Sequence, residues 1–221
     1  MRHVARLSLC MVLAAASFAI VNQPADAATM QWGFQANGAF NTHAMDDWND
    51  IIDESNEFGA EFSNINNGFS FGAGPVLIVN EQWVLGAHYE RLMPSTSEYE
   101  GTEVEAGGNA FGASVGYMFP STSPFNFGLG VGLDYITLNG SLSDPTESYD
   151  TEGSGLGFQV NGLSRYNFSP MWSGMASLGY RFADVEIDNI GGQDVSSAGL
   201  ETENYSGLSI RVGLELHQPS N

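Results

Sequence analysis

The stretch from Phe125 to Leu138 alternates between large apolar residues and very small or polar ones. Side chains of a β-strand point alternately to its two faces, so this period of two predicts a strand with one continuously apolar face. The opposite face is mostly glycine, whereas a soluble sheet normally carries solvated polar side chains there. The combination favours a strand with lipid on one side and a crowded protein interior on the other.

Seven further segments repeat this alternation. We expect eight strands, at residues 29–40, 69–79, 83–89, 110–119, 125–138, 156–168, 172–182 and 208–216. Short turns follow the second, fourth and sixth of them, and long polar segments follow the first, third, fifth and seventh. This rhythm predicts an all-β fold, an antiparallel up-and-down transmembrane barrel, because tilted strands of about 9 to 11 residues cross a bilayer.

Residues 1–27 have the features of a signal peptide. Arg2 and Arg6 precede an apolar run at residues 7–21, and Ala25-Asp26-Ala27 supplies the small-x-small pattern of a cleavage site. The run is shorter than the roughly 20 residues of a membrane-spanning helix, which favours removal over a retained anchor. We therefore expect a signal peptide at 1–27 and a barrel at 28–221.

The charge balance is strongly acidic, with 26 acidic residues against 6 basic ones, no lysine and a formal net charge of −20. Nucleic-acid binding depends on clustered lysine and arginine, so we expect no nucleic-acid partner. Most acidic residues fall in the four long segments, where Arg91 at the base of the second is the only basic residue. A solvated surface is the default interpretation of such runs.

Clustered carboxylates also leave divalent-cation binding open, because Ca²⁺ takes about six to eight oxygen ligands. The candidates for weak cation sites are the alternating residues Asp184, Glu186 and Asp188. They lack the glycine and the later glutamate of an EF-hand loop. We expect no cofactor beyond such loosely bound cations.

Aromatic residues fall at the two ends of the predicted strands, where ring-bearing side chains favour the level of the lipid headgroups. The girdle at the short-turn end comprises Trp32, Trp83, Phe119, Phe125 and Trp172. The girdle at the long-loop end comprises Phe40, Tyr89, Tyr135 and Tyr180. The alternative is a soluble, lipocalin-like barrel with these rings packed inward, but its outer face of glycine and serine would be poor in solubilising charge.

The leader, the alternating segments and the rhythm of turns and loops together resemble the small eight-stranded outer-membrane barrels typified by the OmpA transmembrane domain and OmpX. The resemblance covers essentially all of residues 28–221. It implies a location in the outer membrane of a Gram-negative bacterium, with the short turns in the periplasm. It also implies a monomer whose partners are outer-membrane lipid, lipopolysaccharide and the barrel-insertion machinery.

An eight-stranded barrel has an interior that side chains fill, so charges that face inward must pair there. The expected network in the lumen comprises His88, Glu90, Asp134, Arg165, Arg181, Arg211 and Glu215. A structural lattice of ion pairs is our interpretation, and a narrow polar conduit for ions or small solutes is the alternative. We expect His43 and His217 to be solvated.

Ser114 shares an inward face with His88 and Glu90, which leaves open an enzyme that modifies outer-membrane lipid, either a hydrolase or an acyltransferase. No nucleophile motif surrounds Ser114, and a catalytic triad is defined by geometry rather than by the presence of its residue types. We therefore predict no catalytic residues.

The first long segment contains Met45, Trp48, Ile51 and Ile52 at helical spacing, which predicts a short amphipathic helix with Thr42 as its N-cap. Beyond the predicted strand ends, the alternation continues with reversed polarity. Acidic residues then take the outward positions (Glu103, Glu105, Asp184, Glu186 and Asp188), and apolar residues take the inward ones (Val104, Ile136, Leu138, Val185 and Ile187). We expect the strands to continue above the membrane as an acidic collar around an apolar plug.

These features predict a non-enzymatic outer-membrane barrel with a structural or surface-interaction role, exerted through acidic outer loops. The lipid-modifying enzyme and the narrow conduit are the alternatives.

Overall fold

The computed structural model describes residues 29–44, 46–57, 61–143, 148–191, 193–194 and 202–218. The predicted signal peptide lies outside these residues. The described part contains β1 (Met30–Thr42), α1 (Asp46–Glu57), β2 (Asn67–Val79), β3 (Trp83–Tyr99), β4 (Thr102–Met118), β5 (Phe125–Ser143), β6 (Ser148–Asn167), β7 (Trp172–Ile190), β8 (Gln193–Asp194), β9 (Thr202–Asn204) and β10 (Gly207–His217). No helix in these ranges is long and apolar enough to span a membrane.

The eight long strands form a closed antiparallel ring. Each pairs with the next along the chain, and β10 closes the ring by pairing with both β7 and β1. The short strands β8 and β9 pair with the outer end of β7, which the alternation did not predict. The prediction of an eight-stranded antiparallel barrel is confirmed.

The turn between β2 and β3 shows how local chemistry fixes the pairing. Asn80 and Glu81 both have positive φ, at 53° and 59°, and the Gln82 amide donates to the carbonyl of Val79 over 3.2 Å. Two central residues with positive φ form the turn whose twist matches that of the flanking strands. The chain thus reverses direction at Asn80 and Glu81, and the ladder between β2 and β3 begins with the pair Val79 and Trp83.

The apolar face of each strand points out of the barrel. Phe127 and Leu129 are 58% and 59% exposed, whereas Gly128 and Gly130 occupy the inward positions that alternate with them. The Leu163 side chain occupies the space that Gly116 leaves, because a Cβ at Gly116 would lie 2.6 Å from Leu163 Cδ1. The glycine face is thus the crowded interior, and the lipocalin-like alternative is wrong.

The strands continue past the predicted ends on the long-loop side. β3 reaches Tyr99 and β7 reaches Ile190, and their outer ends enclose a cluster of buried apolar side chains. The cluster comprises Ile52, Ile65, Leu92, Val104, Ala110, Ile136, Leu138, Ala183, Val185 and Tyr205. Ile187 is half-buried beside Leu138 and Gly153. The apolar plug is thus present, with Ile187 at its margin.

Helix α1 covers part of this plug, because Ile52 is buried in it. Thr42 is the last residue of β1 and not the N-cap of the helix, and its Oγ1 accepts a hydrogen bond of 2.8 Å from the Leu208 amide. Met45 lies outside the described residues, and the side chains of Trp48 and Ile51 are not described.

Candidate functional site in the barrel lumen and at its outer rim

The centre of the lumen is organised around Glu90, which is 1% exposed. Its Oε2 accepts hydrogen bonds from Arg181 Nη2 at 2.8 Å and from Arg211 Nη2 at 3.1 Å. Ser70 Oγ donates to the other carboxylate oxygen, and Asn41 Nδ2 donates to Ser70 Oγ over 2.8 Å. Two guanidinium groups and a hydroxyl therefore offset the desolvation of this buried carboxylate.

Asp134 forms the second half of the same cluster. Arg181 Nε lies 3.3 Å from Asp134 Oδ2, and His88 Nε2 lies 3.1 Å from Asp134 Oδ1. Gln159 Nε2 also donates to Asp134 Oδ2. Arg181 therefore bridges two carboxylates. Gln159 was not among the predicted residues, although its inward position on β6 could have suggested it.

Arg165 and Glu215 form a separate ion pair nearer the short-turn end, with 2.9 Å between Nη2 and Oε2. A polar cavity of about 380 Å³ opens at that end and is lined in part by Arg165 and His217. His217 is buried, with Nε2 3.0 Å from Ser173 Oγ, so the expectation that it is solvated is wrong. The predicted lumen charges thus form two clusters.

Ser114 lines a smaller cavity, of about 80 Å³, together with His88 and Glu90. Among the described residues, Ser114 Oγ makes no hydrogen bond with either of them. His88 contacts Asp134 instead, and Glu90 is held by two arginines. The arrangement lacks the chain of hydrogen bonds that activates a serine nucleophile.

His43 and Tyr205 lie between the charge network and the apolar plug. Their rings stack with centroids 4.1 Å apart, and His43 Nε2 lies 3.1 Å from the Tyr205 hydroxyl. Burial, with a smaller contribution from the positive charge of Arg181, lowers the pKa of His43 to about 4. His43 is therefore a buried, neutral side chain, and the expectation that it is solvated is wrong.

The predicted girdle residues point outward at the two ends of the ring. Trp32, Phe119, Phe125, Trp172, Phe40, Tyr89, Tyr135 and Tyr180 are exposed on the outer face. Trp83 is half-buried against the edge of Tyr117, with 5.0 Å between ring centroids. At the long-loop end, Tyr89 faces Phe111 and Phe111 faces Tyr135, so three neighbouring strands carry rings at one level.

Above that level, acidic residues are exposed on the outer faces of β3, β4 and β7. Asp184, Glu186 and Asp188 occupy successive outward positions on β7, so about 7 Å of strand separates each from the next. Asp188 lies at a bulge and accepts a hydrogen bond of 3.1 Å from Ser154 Oγ. No group of three His, Cys, Asp or Glu in the described ranges could hold a metal ion. Weak cation binding by these three carboxylates therefore stays a prediction.

The profile of one protein family, described as "Outer membrane protein beta-barrel domain", matches residues 11–217. The chain belongs to the outer membrane beta-barrel family. The predicted resemblance and the outer-membrane location in Gram-negative bacteria are thereby confirmed. In such barrels the short turns face the periplasm and the long loops face outward.

Solved outer-membrane barrels share this fold at low sequence identity. The outer membrane protein OprG from Pseudomonas aeruginosa is 11% identical, with 87% of this chain and 97% of that chain covered and a TM-score of 0.51. A major outer membrane protein from Thermus thermophilus is 14% identical, with 86% and 99% covered and a TM-score of 0.50. No curated protein matches this chain.

Proposed function

We propose that this barrel is a non-enzymatic outer-membrane protein with a structural or surface-interaction role, exerted through its acidic outer surface. In this proposal the ion pairs in the lumen stabilise the barrel. The acidic collar and the outer loops contact molecules outside the cell. The proposal assigns no reaction to Ser114, His88 or Glu90.

One observation carries the proposal, namely the change of polarity along the strands. In the membrane the strands are apolar outside and polar inside, whereas above it β4 and β7 expose acidic residues outside and bury apolar residues inside. Glu103 and Asp184 are exposed while Val104 and Val185, one residue further along each strand, are buried. The strands above the membrane present carboxylates to water, where external molecules can contact them. The apolar plug inside these strands argues against a path for ions or small solutes.

Two measurements on the intact barrel test this proposal. In planar bilayers, we expect background conductance with and without millimolar Ca²⁺, because apolar side chains and ion pairs fill the lumen. Discrete conductance steps would support the conduit instead.

On cells that display the protein, we expect a fluorescent polylysine probe to bind less after Glu103→Gln, Glu186→Gln and Asp188→Asn are combined. Glu81→Gln is the matched control, because it neutralises an exposed acid in a periplasmic turn. Equal binding by the wild-type barrel and the triple variant would contradict a role for the collar.

A further inference from the structure

Arg91 differs in position from every other described arginine. Arg165, Arg181 and Arg211 point into the lumen and pair with carboxylates there. Arg91 is exposed on the outer face of β3, in a chain whose formal net charge is −20. An outward guanidinium is a fixed positive charge, and it attracts an anion at close range.

The neighbouring strand holds this guanidinium in place through one of its nitrogens. Arg91 Nη1 donates to the carbonyl of Gly108 at 3.3 Å and to Asn109 Oδ1 at 3.1 Å. Within the described residues, Arg91 Nη2 and Nε have no acceptor, so one nitrogen of this exposed guanidinium is anchored and the other two keep donors for a ligand. A planar group held in this way can bind phosphate through two parallel hydrogen bonds.

Asn109 supplies a second group of donors at the same place. Its Oδ1 accepts hydrogen bonds from Arg91 Nη1 and, at 2.7 Å, from the Tyr89 hydroxyl. The amide oxygen is therefore turned toward these two residues, which leaves the Nδ2 hydrogens directed away from them. Arg91, Asn109 and Tyr89 form a polar group, the rim triad, at the junction of β3 and β4.

The position of the rim triad along the membrane normal indicates which ligand it can reach. Tyr89 belongs to the outer aromatic girdle, and Arg91 lies two residues, or about 7 Å of strand, further out. The acidic collar begins above it, with Glu98 and Glu103 exposed on the same two strands. The triad thus occupies the layer between acyl chains and water, where the lipid headgroups lie.

Apolar side chains flank Arg91 at its own level and on the membrane side. Phe71 is directly opposite Arg91 on β2 and is 61% exposed, and Phe111 on β4 is exposed nearer the membrane. Phe69 and Met93 are exposed further out. A ligand with a phosphate at the triad and acyl chains along this surface would contact both kinds of group. Free phosphate would contact only the rim triad and not the apolar side chains beside it.

We propose that the rim triad of Arg91, Asn109 and Tyr89 binds the phosphate of a lipid in the outer leaflet. The acidic collar repels lipid phosphates elsewhere around the barrel, so this position orients the lipid that binds there. This site goes beyond the proposed surface role and does not depend on it, because it concerns the membrane rather than an external partner.

The first test compares lipids on the unmodified barrel in detergent. Native mass spectrometry would measure binding of lipid A that carries both phosphates and of the same lipid after enzymatic dephosphorylation, with inorganic phosphate as competitor. We expect at least tenfold tighter binding of the phosphorylated lipid, with little competition by millimolar phosphate. Equal binding of the two lipids would overturn the proposal, and effective competition by free phosphate would overturn the lipid as its source.

The second test uses variants. We expect Arg91→Gln to weaken binding of phosphorylated lipid A about tenfold, Arg91→Lys to weaken it less, and Tyr89→Phe to have a small effect through Asn109. Glu98→Gln is the matched control, since it removes one outward charge on the same strand. The melting temperatures should remain those of the wild type, because Arg91 is exposed. Wild-type lipid binding by a folded Arg91→Gln variant would overturn the proposal.

Discussion

Arg181 Nη2 lies 2.8 Å from Glu90 Oε2 across the lumen, although 91 positions separate the two residues in sequence. The contact joins β7 to β3, which do not pair in the sheet. Arg181 also approaches Asp134, so its removal would leave two buried carboxylates with fewer partners.

We predict that Arg181→Met destabilises the barrel by about 3–5 kcal/mol, the usual cost of breaking a buried ion pair. Denaturant unfolding in lipid vesicles would measure the loss. Arg211→Met is the control and should cost less, because Arg211 is more exposed and Glu90 keeps Arg181. Equal stability of Arg181→Met and the wild type would contradict a structural lattice, and new ion conductance in a folded variant would favour a gate.

We predict that Val131→Arg impairs insertion, since a charge on the lipid face at mid-depth costs about 2–4 kcal/mol. Val131 is outward and exposed on β5. Gly155, at the rim of β6, is not a permissive control, because a Cβ there would lie 2.1 Å from the carbonyl oxygen of Asp184. Ser154→Arg is the suitable control, because Ser154 is outward beside acids. Normal membrane fractionation of Val131→Arg would show that this face does not meet lipid.

We predict that His43 makes the barrel less stable in mild acid. Its pKa is about 4 in the folded barrel and about 6.5 when unfolded, so the unfolded chain binds more protons between these values. Stability should therefore fall as the pH drops from about 6.5 to 4, by up to about 3 kcal/mol. Denaturant midpoints across this range would measure the effect. His43→Gln should flatten the dependence, and an unchanged slope in that variant would refute the assignment.

We predict that Ile136→Ala costs about 2–5 kcal/mol, as expected for a fully buried side chain. Ile136 is 0% exposed, and its Cδ1 would lie 3.1 Å from a Cβ placed on Gly157. Leu156→Ala, on the lipid-facing side of the adjoining strand, should cost less in a bilayer. Equal losses of unfolding free energy in the two variants would argue against a packed plug.

The period of two predicted which face of each strand meets lipid, because that choice depends only on local sequence. The alternation could not predict β-bulges, beyond which the inward and outward positions of a strand are exchanged. At the bulge between Leu92 and Ser95, Met93 and Pro94 oppose one residue of β4, and Ser97 turns inward as a result. Bulge positions depend on pairing between strands, and one strand does not encode them.

The charges of the lumen were predictable because unpaired charges cannot remain buried, but their partners were not. Ser70, Asn41 and Gln159 are neutral, so no charge rule identified them, and their contacts depend on cross-strand register. Tyr205 was missed for a related reason. Tyr205 directly follows β9. The pairing of β9 with β7, which lies well before it in sequence, places the Tyr205 ring against His43.

The apolar plug fills the outer end of the barrel, and the polar cavity opens at the short-turn end. The lumen is therefore a pocket open to one side rather than a channel. The cavity opens toward the periplasm, so small polar solutes of that compartment can reach its walls, which Arg165 and His217 help to line. The collar and the cavity of one small protein thus face opposite sides of the membrane.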